Sequence, residues 1–203
     1  MLRIITFIAS HLWWSLKGFT RLLNKQPLWA LKLLFVRLYF FVTRRFYGNT
    51  MTPDNYLLES SNELISYWSF FVERECWDEH LMQAIAQTTR PVIVDVGANA
   101  GMFTHWIWHQ KPDATFLVFE PQPRMVKKIR TTSDRTGAMV TLHQTGISDK
   151  IGTADFFSSN DHDTTASLCP EGDKAVKTTI PITTLDAAVT APIVDRKSTR
   201  LNS

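Results

Sequence analysis

The chain has 203 residues, 44% of them hydrophobic and 12% aromatic, which is enough for one catalytic domain with a packed core and an extension. Its net charge of +3 is unevenly distributed, because eight basic residues precede the first acidic residue, Asp54, while 14 basic and 19 acidic residues follow. This division argues against nucleic-acid binding by the main domain and assigns any attraction to anionic surfaces to the first 45 residues.

The first segment, residues 1–47, is a basic, aromatic and amphipathic extension. Pro27 suits the first turn of a helix and ends the preceding one, which predicts helices over residues 2–24 and 27–46. The apolar run within the second helix is interrupted by Lys32 and Arg37 and is only about 16 residues long, where a spanning helix needs about 20. We therefore expect no membrane-spanning helix and, without a small-residue cleavage site, no signal peptide.

Tryptophan rings among basic side chains are typical of a segment that lies in the headgroup layer of a membrane. Trp13, Trp14 and Trp29 fit this pattern. Residues 1–46 are therefore expected to make peripheral contact with the inner face of a membrane, which places the protein in the cytoplasm. The alternative is that both helices pack on the catalytic domain or on a partner chain.

Residues 48–90 are expected to lead into the domain. A polar, turn-prone stretch at 48–55 is followed by a mixed, aromatic-rich stretch at 56–88, which we interpret as a packing helix. The resulting expectation is a helical lead-in to the domain.

The informative pattern begins at Pro91. Residues 92–96 predict a parallel strand buried on both faces, residues 97–101 form a glycine turn, and residues 102–110 predict a helix. The next strand, 114–119, ends at Glu120, about 20 residues after the turn, where a carboxylate can accept hydrogen bonds from both ribose hydroxyls of a nucleoside. Together these features predict a nucleoside site.

The glycine turn is unsuited to a pyrophosphate. A dinucleotide loop has a third glycine, whereas Asn99 occupies that position, and Asp95 lies at the end of the strand. A carboxylate there favours a cationic or amino group of the ligand. These details disfavour a nicotinamide oxidoreductase and favour a methionine-bearing nucleoside.

Two blocks, IVDVGANAGMFT at 93–104 and FEPQP at 119–123, resemble the FkbM family of class I S-adenosylmethionine-dependent methyltransferases. Weaker blocks follow in the same order as in that family, at 145–149, 166–168 and 184–186, so that the resemblance covers 91–195. It implies an α/β fold with a Rossmann-like parallel sheet, incomplete here and preceded by the helical extension. It also implies that S-adenosylmethionine binds at the carboxyl edge of the sheet.

The resemblance further assigns residues to that cofactor. The methionine side is lined by one group of residues, the ribose is held by Glu120, and the adenine lies near Gly146 and Ile147. The group on the methionine side is Asp95, Gly97, Asn99 and Gly101, with Phe103 directly after the turn. The family pattern has an asparagine near Thr145, so the sequence departs from it at the adenine contact.

The end of the chain is expected to be foreign to the domain. The family pattern predicts a further strand that begins at about 193–195 and leads to a Lys-Ile-Asp-Val-Glu-Gly-like block, and residues 196–203 have no such pattern. One codon choice for residues 195–203 spells a common sequencing adapter. We therefore expect a domain truncated at about 195, followed by an artefactual tail at 196–203.

Methyl transfer to a hydroxyl needs a positioned acceptor and removal of its proton. His162, flanked by Asp161 and Asp163, is a weak candidate for the catalytic base, since a solvated loop explains the same residues. We expect no metal site: His105 and His109 have zinc-helix spacing without further ligands.

Two other groups of residues are not assigned to a ligand or to the reaction. Cys76 and Cys169 are expected to be free thiols in a reducing compartment, because they lack metal-ligand spacing and lie far apart. A basic run after Glu120 is expected to be a solvated helix face; it comprises Arg124, Lys127, Lys128 and Arg130.

The sequence thus predicts an O-methyltransferase that acts on a small-molecule or glycan acceptor, with a hydroxyl of a sugar, glycolipid precursor or secondary metabolite as the methylated group. The alternatives are a non-catalytic nucleotide-binding or membrane-associated interaction module and, less favoured, an NAD-dependent oxidoreductase.

Overall fold

The computed structural model describes residues 16–24, 27–43, 50–52, 54–73, 78–158, 166–167 and 176–189. The helices are α1 (16–24), α2 (Pro27–Thr43), α3 (Ser61–Tyr67), a π-helical turn (Trp68–Glu73), α4 (Glu79–Gln87), α5 (Met102–Gln110), α6 (Pro123–Thr136) and α7 (Leu185–Ala188). The strands are β1 (Thr50–Met51), β2 (Leu57–Leu58), β3 (Val92–Val96), β4 (Thr115–Phe119), β5 (Met139–His143), β6 (Gly146–Ile147), β7 (Gly152–Ser158), β8 (Ala166–Ser167) and β9 (Val176–Thr183). Several residues that the sequence singled out lie outside the described ranges: Trp13, Trp14, Cys76, His162, Cys169 and the tail 196–203.

A parallel sheet in the order β3-β4-β5 forms the centre of the domain, and α5 and α6 are the crossovers between its strands. Its register pairs Val96 with Phe119 and Phe119 with His143, so the three strands end together at one edge. This arrangement confirms the α/β, Rossmann-like architecture. The expectation that β3 is buried on both faces is wrong, because Val92 and Val96 are 49% and 45% exposed on a strand that pairs with β4 alone among the described residues.

A second sheet follows, with strand order β6-β9-β7-β8. β7 runs antiparallel to β9, whereas β6 runs parallel to β9. A small cluster of Phe156, Ile180 and Ile182 lies on one face. The expectation of a parallel sheet alone did not include this antiparallel pairing of β7, which is seven residues long, with β9, which is eight residues long.

The N-terminal helices pack on the rest of the domain. Trp29 and Leu33 of α2 are buried in a cluster with Tyr67 and Trp68, and Trp29 meets Tyr67 edge-on at a ring separation of 6.3 Å. The expectation of Trp29 in a headgroup layer is therefore wrong, since burying a large ring against other aromatics stabilises more than leaving it exposed. Among the described residues, no helix is both long and apolar enough to cross a bilayer.

The lead-in begins with a hairpin, which corrects the expectation of helix from residue 56. Its turn is closed by Thr52, whose backbone N–H donates to Tyr56 O and whose hydroxyl accepts from Tyr56 N, both at 2.8 Å. Asn55 adopts a φ of 67°, which asparagine tolerates better than most residues. Helix α3 starts only after Ser60, whose hydroxyl accepts from Glu63 N as an N-cap.

Candidate functional site

The loop 97–101 connects β3 to α5 at the carboxyl edge of the parallel sheet. Gly97, Asn99 and Gly101 have φ values of 69°, 53° and 75°, all in the left-handed region. At this end of the sheet, Gly97 N donates to Phe119 O at 2.8 Å, which anchors the start of the loop to β4. Gly101 is the N-cap of α5 and has no side chain to cap it. The first turn of α5 has free backbone N–H groups at this carboxyl edge of the sheet, as helix N-termini do.

Glu120 follows β4 directly and reaches back to the loop. Its Oε2 accepts from the backbone N–H of Asn99 at 2.7 Å, and its Oε1 accepts from that of Gln122 at 2.9 Å. The residue is only 3% exposed. The structure thus brings together the glycine turn and the acidic residue that the sequence assigned to one site.

Asp95, at the end of β3, is also buried, with 8% exposure. Its Oδ2 accepts from the hydroxyl of Thr104 at 2.6 Å. Thr104 lies one turn into α5, and sequence reasoning did not assign it a role, although it belongs to the first block of the resemblance. Its contact fixes the orientation of the Asp95 carboxylate.

The remaining predicted cofactor residues are Phe103, Gly146 and Ile147. Phe103 points into the hydrophobic layer, where its ring lies 6.1 Å from that of Trp106. Gly146 and Ile147 form β6, which pairs with β9 in the second sheet. Within the parallel sheet, the rings of the paired residues Phe119 and His143 stack at a separation of 4.7 Å, directly before Glu120.

The basic run on α6 is not simply a solvated face. Lys128 is 9% exposed in its side chain and its Nζ lies 2.6 Å from Glu63 and 2.9 Å from Glu59. It also donates to Leu57 O at 2.9 Å. Lys128 therefore fastens α6 to the lead-in, beside an open groove with a volume of about 250 Å³.

The carboxyl edge of the parallel sheet carries two buried carboxylates. Asp95 and Glu120 are carboxylates at the ends of neighbouring parallel strands, and residues 92–110 contain no lysine or arginine. Two such carboxylates suit hydroxyl and cationic groups, and residues 92–110 supply no cation for a phosphate. Within the described ranges, no three His, Cys, Asp or Glu side chains are grouped as a metal site.

Comparison with known proteins gives related sequences. The chain is 29% identical over 113 residues to methyltransferase sdnD of Sordaria araneosa, covering 51% of this chain and 42% of that protein. It is 36% identical over 70 residues to 2-O-methyltransferase NoeI of Sinorhizobium fredii, covering 34% of this chain and 28% of that protein. The chain thus spans less than half the length of these curated relatives. The matches confirm the expected relationship to methyltransferases.

Among solved structures, the chain is similar to methyltransferase FkbM from Methylobacillus flagellatus, with 12% identity and a TM-score of 0.34, over 63% of this chain and 33% of that chain. No protein-family model matches the chain.

Proposed function

We propose that this chain carries the S-adenosylmethionine-binding part of a methyltransferase that methylates a hydroxyl group. The observation that carries the proposal is the hydrogen bond from Asn99 N to Glu120, which joins the glycine turn to the carboxylate at the end of the next strand. This hydrogen bond brings together two motifs that are 21 residues apart in the sequence.

The chemistry of the crevice supports S-adenosylmethionine over a dinucleotide. The cofactor offers a sulfonium cation, an ammonium group and a ribose diol, and it carries no phosphate. Asp95 supplies a buried carboxylate for a cationic group, and Glu120 supplies acceptors for the diol. A pyrophosphate would instead bring negative charge next to two carboxylates, which is unfavourable.

The reaction is an in-line displacement. A lone pair of the acceptor oxygen forms the new O–CH₃ bond as the S–CH₃ bond breaks, its electrons return to sulfur, and the hydroxyl proton passes to a base. The protein mainly has to align the acceptor with the methyl group. His162 is the candidate base and lies outside the described residues.

The name of one curated relative supports a hydroxyl group as the acceptor. One relative is named a 2-O-methyltransferase. We propose a sugar, a glycolipid precursor or a secondary metabolite as acceptor here, since each presents a hydroxyl group.

Isothermal titration calorimetry tests the cofactor assignment. We expect the whole chain to bind S-adenosylmethionine with micromolar affinity, and Glu120→Ala to abolish detectable binding. The matched control is Asp113→Ala: this carboxylate pairs with Lys111 at the opposite end of β4, with a side chain 45% exposed, and its loss should leave affinity unchanged. Binding of NAD in preference would overturn the proposal. Binding of neither nucleotide would favour a non-catalytic module.

A second proposal concerns α2 and a membrane surface. Four apolar residues of α2 are 53–84% exposed: Leu28, Leu31, Phe35 and Leu38. At about 100° per residue they fall within an arc of roughly 80°, opposite the buried Trp29 and Leu33. Lys32 borders this arc, and no acidic residue occurs in α1 or α2. We propose that the arc enters the interface of an anionic membrane, in the cytoplasm.

Liposome pelleting tests this attachment. The chain should sediment with vesicles that contain anionic lipid, less so at high salt, and Leu31→Asp should release it. Ile65→Asp on α3 is the matched control, because Ile65 is 53% exposed and Leu31 is 54% exposed. Equal sedimentation of both variants would reject the surface on α2, and dimerisation measured by light scattering would assign it to a second copy of the chain.

A further inference from the structure

A buried polar cluster lies behind the loop 97–101, on the side of the lead-in. Nε2 of His105 lies 2.8 Å from Oδ2 of Asp54, and the two side chains are 2% and 6% exposed. The other oxygen of Asp54 accepts from the hydroxyl of Tyr67 at 3.1 Å. A buried carboxylate with two such partners is held in one orientation, so the hairpin turn that contains Asp54 is fixed against α5.

Tyr56 extends this cluster to the loop. Its hydroxyl donates to Ala100 O at 3.0 Å, and the residue is fully buried. The centres of the Tyr56 and His105 rings are 5.1 Å apart, and Lys128 Nζ lies 5.1 Å from the centre of the Tyr56 ring. Burial raises the pKa of Tyr56 well above 10.0, and the charge of Glu63 raises it further, so the hydroxyl keeps its proton and remains a donor.

The carbonyl that accepts the Tyr56 hydrogen bond belongs to the part of the loop in which the backbone is left-handed. Ala100 lies between Asn99 and Gly101, both with positive φ. A non-glycine residue in the left-handed region persists when its surroundings determine its conformation. The direction of the Ala100 carbonyl also fixes the next peptide N–H, that of Gly101, which donates to Ala98 O at 2.8 Å.

We propose that Tyr56 is a positioning residue, whose direct hydrogen bond to Ala100 O sets the conformation of the loop 97–101 for the cofactor. This inference rests on the proposed function. It assigns a role to the hairpin, which the sequence treated as a passive lead-in.

The test compares Tyr56→Phe with Tyr67→Phe. Both remove one buried phenol hydroxyl, but that of Tyr67 contacts Asp54 and that of Tyr56 contacts the loop. We expect Tyr56→Phe to raise the Kd for S-adenosylmethionine roughly 5- to 10-fold, the equivalent of one neutral hydrogen bond, and Tyr67→Phe to change it less than about twofold. The melting temperatures of both variants are measured in parallel.

A second readout does not depend on the cofactor. Amide hydrogen exchange of residues 97–101 should accelerate in Tyr56→Phe and stay unchanged in Tyr67→Phe. If the parent chain binds no S-adenosylmethionine, the proposed function fails while the exchange result still decides this inference. Unchanged exchange in Tyr56→Phe, or equal changes in both variants, overturns it.

Discussion

Gly101→Ala tests whether the loop 97–101 is held by packing against α6 as well as by its backbone. An added Cβ at Gly101 would lie 2.8 Å from Cγ1 of Ile129, a distance that real Cβ atoms do not show. Gly137, which ends α6, serves as the comparison: its φ is 78°, against 75° for Gly101. A Cβ added at Gly137 would meet nothing within 4 Å. The two glycines therefore share the backbone strain and differ in the contact.

The expected losses in free energy of unfolding follow from the backbone strain and from the contact with Ile129. A left-handed backbone costs an alanine about 1–2 kcal/mol, so Gly137→Ala should lower the free energy of unfolding by about that amount. Gly101→Ala adds overpacking against Ile129, which is 2% exposed, and overpacking typically costs about 1–3 kcal/mol. The total expected for Gly101→Ala is about 2–5 kcal/mol.

Urea denaturation, followed by circular dichroism, measures both losses as changes in midpoint at constant slope. A double-mutant cycle supplies the control: in an Ile129→Ala background, where Cγ1 is absent, the cost of Gly101→Ala should fall to that of Gly137→Ala. Equal destabilisation by the two glycine variants in the parent chain would refute the packing argument.

Two further predictions concern buried charges. Lys128→Met should lower the free energy of unfolding by about 3–5 kcal/mol, because it leaves the buried carboxylate of Glu63 without its cation. The control is Lys127→Met at an exposed position, which should change the free energy of unfolding by less than about 0.5 kcal/mol in the same urea assay. Burial raises the pKa of Asp54, but the hydrogen bond and charge of His105 lower it, to a net value below 3.8. The stabilisation by Asp54 is therefore present above pH 3.8 and is lost as the pH falls through the folded-state pKa. When the pH is lowered from about 6 to about 3, the free energy of unfolding should therefore decrease less in Asp54→Asn than in the parent chain.

The sequence predicted those parts of the fold that depend on local pattern. The β-branched run of β3, the glycine turn and the helix Met102–Gln110 were predicted at their observed positions, because each follows from neighbouring residues. The hairpin was missed, since its strands are two residues long and its turn depends on contacts between Thr52 and Tyr56. The packed face of α2 was also missed, because a helix with apolar residues on several sides does not reveal which side is buried.

The site was predicted to a similar extent. The proximity of the glycine turn and Glu120 was predicted from their spacing along two consecutive strands. Lys128 was taken for a solvated cation because its acidic partners, Glu59 and Glu63, lie 69 and 65 residues away in sequence. Tyr56 was missed for the same reason: no short-range pattern connects it to Ala100, 44 residues later.

Asp95 is a cleaner probe of ligand charge than Glu120. Glu120 accepts two backbone N–H groups, so its replacement alters the loop as well as any ribose contact. In Asp95→Asn, by contrast, the side-chain oxygen can still accept from Thr104 while the negative charge is removed. If Asp95 lies near the sulfonium, this variant should weaken binding of S-adenosylmethionine roughly 10-fold or more and leave that of the uncharged-sulfur product, S-adenosylhomocysteine, nearly unchanged. If it lies near the ammonium group, which both ligands carry, both affinities should fall equally. Unchanged affinity for both ligands would remove Asp95 from the cofactor site.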